Sequence, residues 1–274
     1  MAALVTEQGI VHYEVYGRGR PVLLLHGWMN SWAVWRKTVE MLGRDYRVYA
    51  LDFLGFGEFG EKTAELAEDF SVSNFTVLVN QFMDRMGIVK APLIGHSMGG
   101  TVSLKTAIQF PDKVTKVGVV GSPIVGSSLS PLLKIAAYKG WVELAESAPA
   151  IYNVFQMGFR PFIRGYSRFL ARDGKALGDM LSTDVSRLAF LPFFESIGTL
   201  RETDLRPDMH KLKLPVLGIY GKNDAIVDPG QNKVLKECLP HSQIAWFEQS
   251  GHFPMLDESE HFHNTVRTFL SQSS

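Results

Sequence analysis

Ser97 lies within Gly95-His96-Ser97-Met98-Gly99-Gly100, between the short apolar run Pro92-Leu93-Ile94 and an expected helix over Val102 to Phe110. A serine hydroxyl attacks a carbonyl effectively only when a nearby base removes its proton, so the chemistry to expect is covalent acyl transfer. A strained turn between strand and helix raises the oxygen above the sheet. Glycines two residues to either side keep side chains from colliding with the neighbouring backbone. The pattern is short enough to occur by chance, and its strand–turn–helix setting is what gives it weight.

Such a turn needs a sheet to stand on. Val22-Leu23-Leu24-Leu25, Val48-Tyr49-Ala50-Leu51, Pro92-Leu93-Ile94, Val117-Gly118-Val119-Val120 and Val216-Leu217-Gly218-Ile219-Tyr220 are short apolar runs without alternation. Runs of that kind are buried on both faces, as in a parallel sheet. Ile10 to Tyr16 alternates apolar and polar residues, which suits an edge strand with one wet face leading through Gly17-Arg18-Gly19 into a hairpin. Helical spacing falls between the runs, most clearly at Phe75, Leu78, Val79, Phe82 and Met86 with Ser73 as the expected N-cap. A further helix is expected from Asp228-Pro229, and a last one from Phe262, Val266, Phe269 and Leu270. Strand and helix alternate, so the expected class is α/β with helices on both faces of the sheet.

One connection is too long for that scheme. Residues 122–214 join two strands, where a crossover with its helix needs roughly a dozen residues. The excess predicts a helical cap over about 123–205, with 1–122 and 206–274 forming the core. Tyr138, Trp141, Tyr152, Phe155, Phe159, Phe162, Tyr166 and Phe169 crowd this segment.

On these residues the chain resembles the α/β-hydrolase family. The resemblance implies a mostly parallel eight-stranded sheet with the cap inserted after the sixth strand. The family's His-Gly loop is similar to Leu24-Leu25-His26-Gly27-Trp28-Met29. The resemblance therefore implies that the backbone N–H groups of Trp28 and Met98 form the oxyanion hole, as donors aimed at charge that develops only in the transition state. The family's chain order is serine, acid, histidine. Tyr220-Gly221-Lys222-Asn223-Asp224 offers a carboxylate just past an apolar strand, and Ser250-Gly251-His252-Phe253-Pro254 a histidine before the final helix. Asp224 is thus expected to orient His252, which takes the proton of Ser97 and returns it to the leaving group.

Other candidates carry blander readings. Asp228 reads better as a helix cap, and Asp52 as a structural turn after its strand. His26 and His96 belong to the motifs without moving protons, and His261 and His263 are expected on a wet helix face. Arg160, Arg164, Arg168 and Arg172 recur every fourth residue; the ordinary reading is a solvated face, with a substrate carboxylate or a lipid surface as alternatives.

Composition narrows the function. The 274 residues are 46% hydrophobic and 20% charged, those of an ordinary globular chain of one large core. Twenty-eight Lys and Arg against 28 Asp and Glu give zero formal charge, which speaks against nucleic acid as a partner. The lone Cys238 has no cationic neighbour to activate it, and no apolar window reaches membrane-spanning length, so a cytoplasmic location without stable membrane insertion is expected.

Serine at position 97 argues against haloalkane dehalogenases and epoxide hydrolases, whose nucleophile is an aspartate. The leading expectation is a serine carboxylesterase acting on small to medium apolar acyl esters, with no metal or organic cofactor. Met29, Trp141, Tyr152, Phe155, Phe159 and Phe253 are expected to line its pocket. One alternative is a carbon–carbon bond hydrolase of a vinylogous diketone, whose elbow Ser97-Met98-Gly99-Gly100 resembles, although His96 stands where Asn is frequent. Another is a slow-turnover ligand receptor of the same fold.

Overall fold

A computed structural model describes residues 2–64, 67–147 and 150–272. Strands Ala2–Thr6 (β1), Gly9–Tyr16 (β2), Pro21–Leu25 (β3), Arg47–Leu51 (β4), Ala91–His96 (β5), Val114–Val120 (β6), Val216–Gly221 (β7) and Gln243–Phe247 (β8) form one sheet. Its order is β1-β2-β4-β3-β5-β6-β7-β8. From β4 onward every neighbouring pair is parallel, while β2 runs antiparallel to β1 and β4. Burial explains the split. Strands β3, β4, β6 and β7 are buried almost throughout, as chains covered on both faces by helices must be.

Helices Val72–Arg85 and Met98–Gln109 pack together on one face, and Arg36–Leu42 and Ser259–Ser271 on the other. Phe53 stacks on Phe75 at 4.6 Å beneath the first pair; Trp35 meets Phe262 at 6.2 Å beneath the second. Ser71, not Ser73, caps helix Val72–Arg85, its Oγ accepting the N–H of Asn74 at 3.1 Å.

The amino-terminal strands differ from the expected hairpin. The Gly17–Gly19 turn joins β2 to β3, but β4 lies between them, because β3 pairs with β4 in parallel from Pro21↔Arg47 to Leu25↔Leu51. β2 is therefore the second strand, and β1 takes the edge. Nor is its polar face wet: His12 is buried, with Nδ1 2.7 Å from Asp52 Oδ2, whereas Ile10 is exposed.

Between β6 and β7 the chain forms helices Pro131–Ala136, Gly140–Ser147, Ala150–Tyr166, Gly174–Val185 and Phe190–Glu202. This helical cap leaves and re-enters the core at a narrow neck. Val125 and Asp204 form an isolated antiparallel bridge, and Leu205 N–H donates to Ile124 O at 3.1 Å.

Candidate active site

Ser97 sits between the end of β5 and helix Met98–Gln109 with φ 51° and ψ −121°, a region that side-chain-bearing residues seldom occupy. Its N–H donates to Val120 O at 2.8 Å, which ties the turn to β6. The flanking glycines are required by contact. A Cβ on Gly95 would stand 2.2 Å from Gly99 O, and one on Gly99 2.3 Å from Leu25 O, at the end of β3. Folding the strand back into the helix this tightly is what lifts the serine side chain clear of the sheet.

Beyond β3 the chain turns through Gly27 to Ser31. Asn30 N–H donates to Gly27 O at 3.2 Å, its Nδ2 to Trp28 O at 2.9 Å, and Met29 adopts φ 61°. His26 pins this loop. Its Nε2 accepts the N–H of Phe53 at 2.9 Å, which leaves Nδ1–H to donate to Gly27 O at 2.7 Å. Complete burial pushes the His26 pKa down, so the ring is neutral and bridges the ends of β3 and β4. Asp52 assists from just past β4, accepting the N–H groups of Trp32 at 2.6 Å and Glu58 at 3.0 Å.

Asp224 follows β7 and His252 follows β8. His252 Nδ1 lies 2.8 Å from Asp224 Oδ2, while Asp224 Oδ1 accepts the N–H groups of Ile226 at 2.8 Å and Val227 at 3.0 Å. Both side chains are buried. With the carboxylate accepting, Nδ1 carries the ring proton and Nε2 is left as the basic nitrogen. His252 and Ser97 line the same cavity. Asp228 is exposed instead. Its Oδ1 accepts the N–H of Gly230 at 2.8 Å, in a turn ahead of helix Gln231–Cys238, whose cap position is Gly230.

The cavity measures about 380 Å³ and opens between the strand ends and the cap. Met29, Trp141, Phe159 and Phe253 line it as expected from sequence; the side chains of Tyr152 and Phe155 lie outside the described residues. Much of the wall comes from residues the sequence reading passed over: Phe190, Phe193, Phe194, Ile197 and Leu200 of the last cap helix, Leu129, Leu132 and Leu133 near the neck, and Ile226. The spacing of Phe190, Phe193 and Phe194 at i, i+3 and i+4 was the available signal. Ser97, His252 and Asn30 are the strongly polar groups in this wall, and no Lys, Arg, Asp or Glu lines it among the described residues.

The remaining candidates take structural places. Tyr138 is exposed, away from the lining. His263 is half-buried against Thr38, with Nε2 3.2 Å from its Oγ1; burial, with Arg267 and Lys37, lowers its pKa to about 4, so its expected wet setting is corrected. The arginine row is broken because the helix ends at Tyr166. Arg164 pairs with Asp179, and Arg172 donates to Gln249 Oε1 at 3.0 Å.

Known proteins share this architecture. The family described as alpha/beta hydrolase fold matches residues 20–156. A pimeloyl-[acyl-carrier protein] methyl ester esterase from Vibrio parahaemolyticus is 31% identical, covering 94% of this chain and 97% of its own length. The esterase of the same name from Aliivibrio fischeri is 29% identical over 96% of this chain and 98% of its own. The crystal structure of a bromoperoxidase from Bacillus anthracis superposes with a TM-score of 0.80 at 21% identity, covering 99% of this chain and 100% of that one. At that identity it speaks for the fold alone.

Proposed function

The chain belongs to the alpha/beta hydrolase fold family and is an esterase-type serine hydrolase, and from that premise we propose that Ser97, His252 and Asp224 cleave a neutral, medium-length acyl ester beneath the cap. The carrying observation is that His252, paired with the buried Asp224 at 2.8 Å, lines one apolar cavity with a serine held at positive φ. His252 Nε2 takes the Ser97 proton as Oγ attacks the ester carbonyl. The developing oxyanion is met by the N–H groups of Trp28 and Met98. His252 then protonates the departing alcohol, water repeats the attack on the acyl-serine, and the free acid leaves.

The wall of the cavity argues for the substrate. Its volume lies at the lower end of the range typical of small-molecule sites, which suits a small to medium acyl group. A carboxylate inside it would be desolvated with no cationic partner among the described residues, at a cost of several kcal/mol. A substrate uncharged at both ends fits. The relatives' printed substrate has that property, with one carboxyl carried as a methyl ester and the other joined to a carrier protein. We extend that chemistry to this chain as a methyl ester of a carrier-bound or otherwise masked acyl group. Hydrolysis creates a carboxylate that this wall disfavours, which assists product release.

The paired neck at Val125 and Asp204 supports the division into a core of 1–122 and 206–274 and a cap of 123–205. No described helix is long and apolar enough to cross a membrane. The half-buried Cys238, whose thiol burial pushes up, is consistent with a cytoplasmic protein. The test is steady-state hydrolysis of a methyl-ester series beside a vinylogous diketone, with a fluorophosphonate adduct mapped by mass spectrometry. Multiple turnover of esters and an adduct on Ser97 are expected; turnover of the diketone alone, or an adduct elsewhere, rejects the reading.

A further inference from the structure

The loop that presents the Trp28 amide is gripped from the cap as well as from the core. On the core side, Asp52 Oδ1 accepts the N–H of Trp32 at 2.6 Å. On the cap side, the Trp28 indole Nε1 donates to Phe193 O at 2.8 Å, and Ser31 Oγ donates to Asp184 Oδ1 at 2.8 Å. Ser31 also caps the short helix Trp32–Trp35, its Oγ accepting the N–H of Ala33 at 3.2 Å, so its hydroxyl is used in both directions. Asp184 lies near the end of cap helix Gly174–Val185 and is 5% exposed. Its Oδ2 is buried with no partner among the described residues. A half-satisfied buried carboxyl is costly, and capping Ser31 does not require one.

We infer that Asp184 is a positioning residue that, through Ser31, fixes the Trp28 amide against the reacting carbonyl, so that seating of the cap and assembly of the oxyanion site are one event. The inference rests on the reading of Ser97 and Trp28 given above. Met29, next to Trp28, is held at φ 61°, and strain of this kind persists only where the surroundings over-determine it. Releasing Ser31 lets the loop relax, and a displaced oxyanion donor acts on the transition state rather than on substrate binding.

The charged neighbours set the form in which Asp184 works. Burial acts first and the Asp52 carboxylate adds to it, raising the Asp184 pKa to about 7 against the opposing Ser31 hydroxyl and backbone N–H bonds and Arg187. Arg187 is itself paired with Glu58, and Asp52 with His12. Ser31 therefore donates to a neutral carboxyl below about pH 7 and to a carboxylate, the stronger acceptor, above it.

The test compares wild type with Asp184→Ala, Asp184→Asn and Ser31→Ala on p-nitrophenyl acetate, a substrate small enough to depend little on cap contacts. Asp184→Ala and Ser31→Ala should lose about 10- to 100-fold in kcat with KM within about twofold. Asp184→Asn keeps an acceptor for Ser31 and stands in for the neutral acid, so it should stay within severalfold of wild type. Fluorophosphonate labelling separates the two readings, since an adduct away from Ser97 rejects the serine mechanism itself. With Ser97 labelled, unchanged kcat in Ser31→Ala or a rise in KM alone overturns the role of Asp184. Should Asp184→Ala fail to fold, Ser31→Ala and Asp184→Asn decide.

Discussion

His96 Nε2 lies 2.9 Å from the carbonyl oxygen of His252, and the two rings are tilted by 56° with centroids 4.7 Å apart. His96, next to Ser97, thus holds the loop that carries His252. Burial and the neighbouring His252 push the His96 pKa well below its ordinary value, so the ring is neutral and donates through Nε2. His96→Ala should remove that donor and leave a cavity, costing about 2–4 kcal/mol in stability and about tenfold in kcat. Thermal melts and ester kinetics at one pH check both. Full kcat in a destabilised variant would show that the bond serves the fold alone.

Ser97→Ala and Asp224→Asn should each lower kcat about 10⁴-fold, the first by removing the nucleophile and the second by favouring the wrong His252 tautomer. Asp228→Asn should leave activity unchanged and shift stability by less than about 1 kcal/mol, since its exposed side chain only closes a turn. Activity should persist in EDTA. The reverse ranking of the two aspartates, or loss of activity restored by added metal, contradicts the assignment.

The apolar runs of β3 to β7 were legible because burial on both faces leaves a sequence signature that needs no partner to read. β8 was not, since Gln243–Phe247 is an edge strand with partly exposed side chains, and β1 was masked by the alternation that made β2 resemble an edge. Ser97, Asp224 and His252 could be set as candidates because each follows a strand at a loop whose local residues are informative. The Ser31–Asp184 bond joins residues 153 apart in sequence. Nothing at either position signals the other, because that contact exists only once the cap is seated.

His12 gives the core a pH dependence. Burial opposes its charge, but the bond and charge of Asp52, with Glu14 and Glu58, outweigh it and raise the pKa. A raised folded-state pKa contributes stability that is complete below about pH 6.5 and lost as pH climbs through the folded value. His12→Gln should therefore destabilise by on the order of 1–2 kcal/mol at pH 6 and by less at pH 9. Chemical denaturation at the two pH values measures this; an equal loss at both would assign the effect to packing.

The cavity wall makes the last prediction, which concerns length and charge together. Each methylene moved from water into this wall gains about 0.8 kcal/mol, nearly fourfold in kcat/KM, until the space is filled. Methyl esters from acetate to dodecanoate should therefore rise in kcat/KM and then fall. Ile197 is fully buried and lines the cavity, so Ile197→Phe should move the maximum to a shorter chain, at about 1–3 kcal/mol of overpacking. Among dicarboxylic acids, a dimethyl ester should be cleaved much faster than the monomethyl ester of equal length, because the free carboxylate of the latter finds no Lys or Arg in the wall among the described residues. A flat length profile would remove the apolar pocket. Equal rates for mono- and diesters would mean that the far end of the substrate stays in water, so the cavity would select the acyl group by length without excluding its charge.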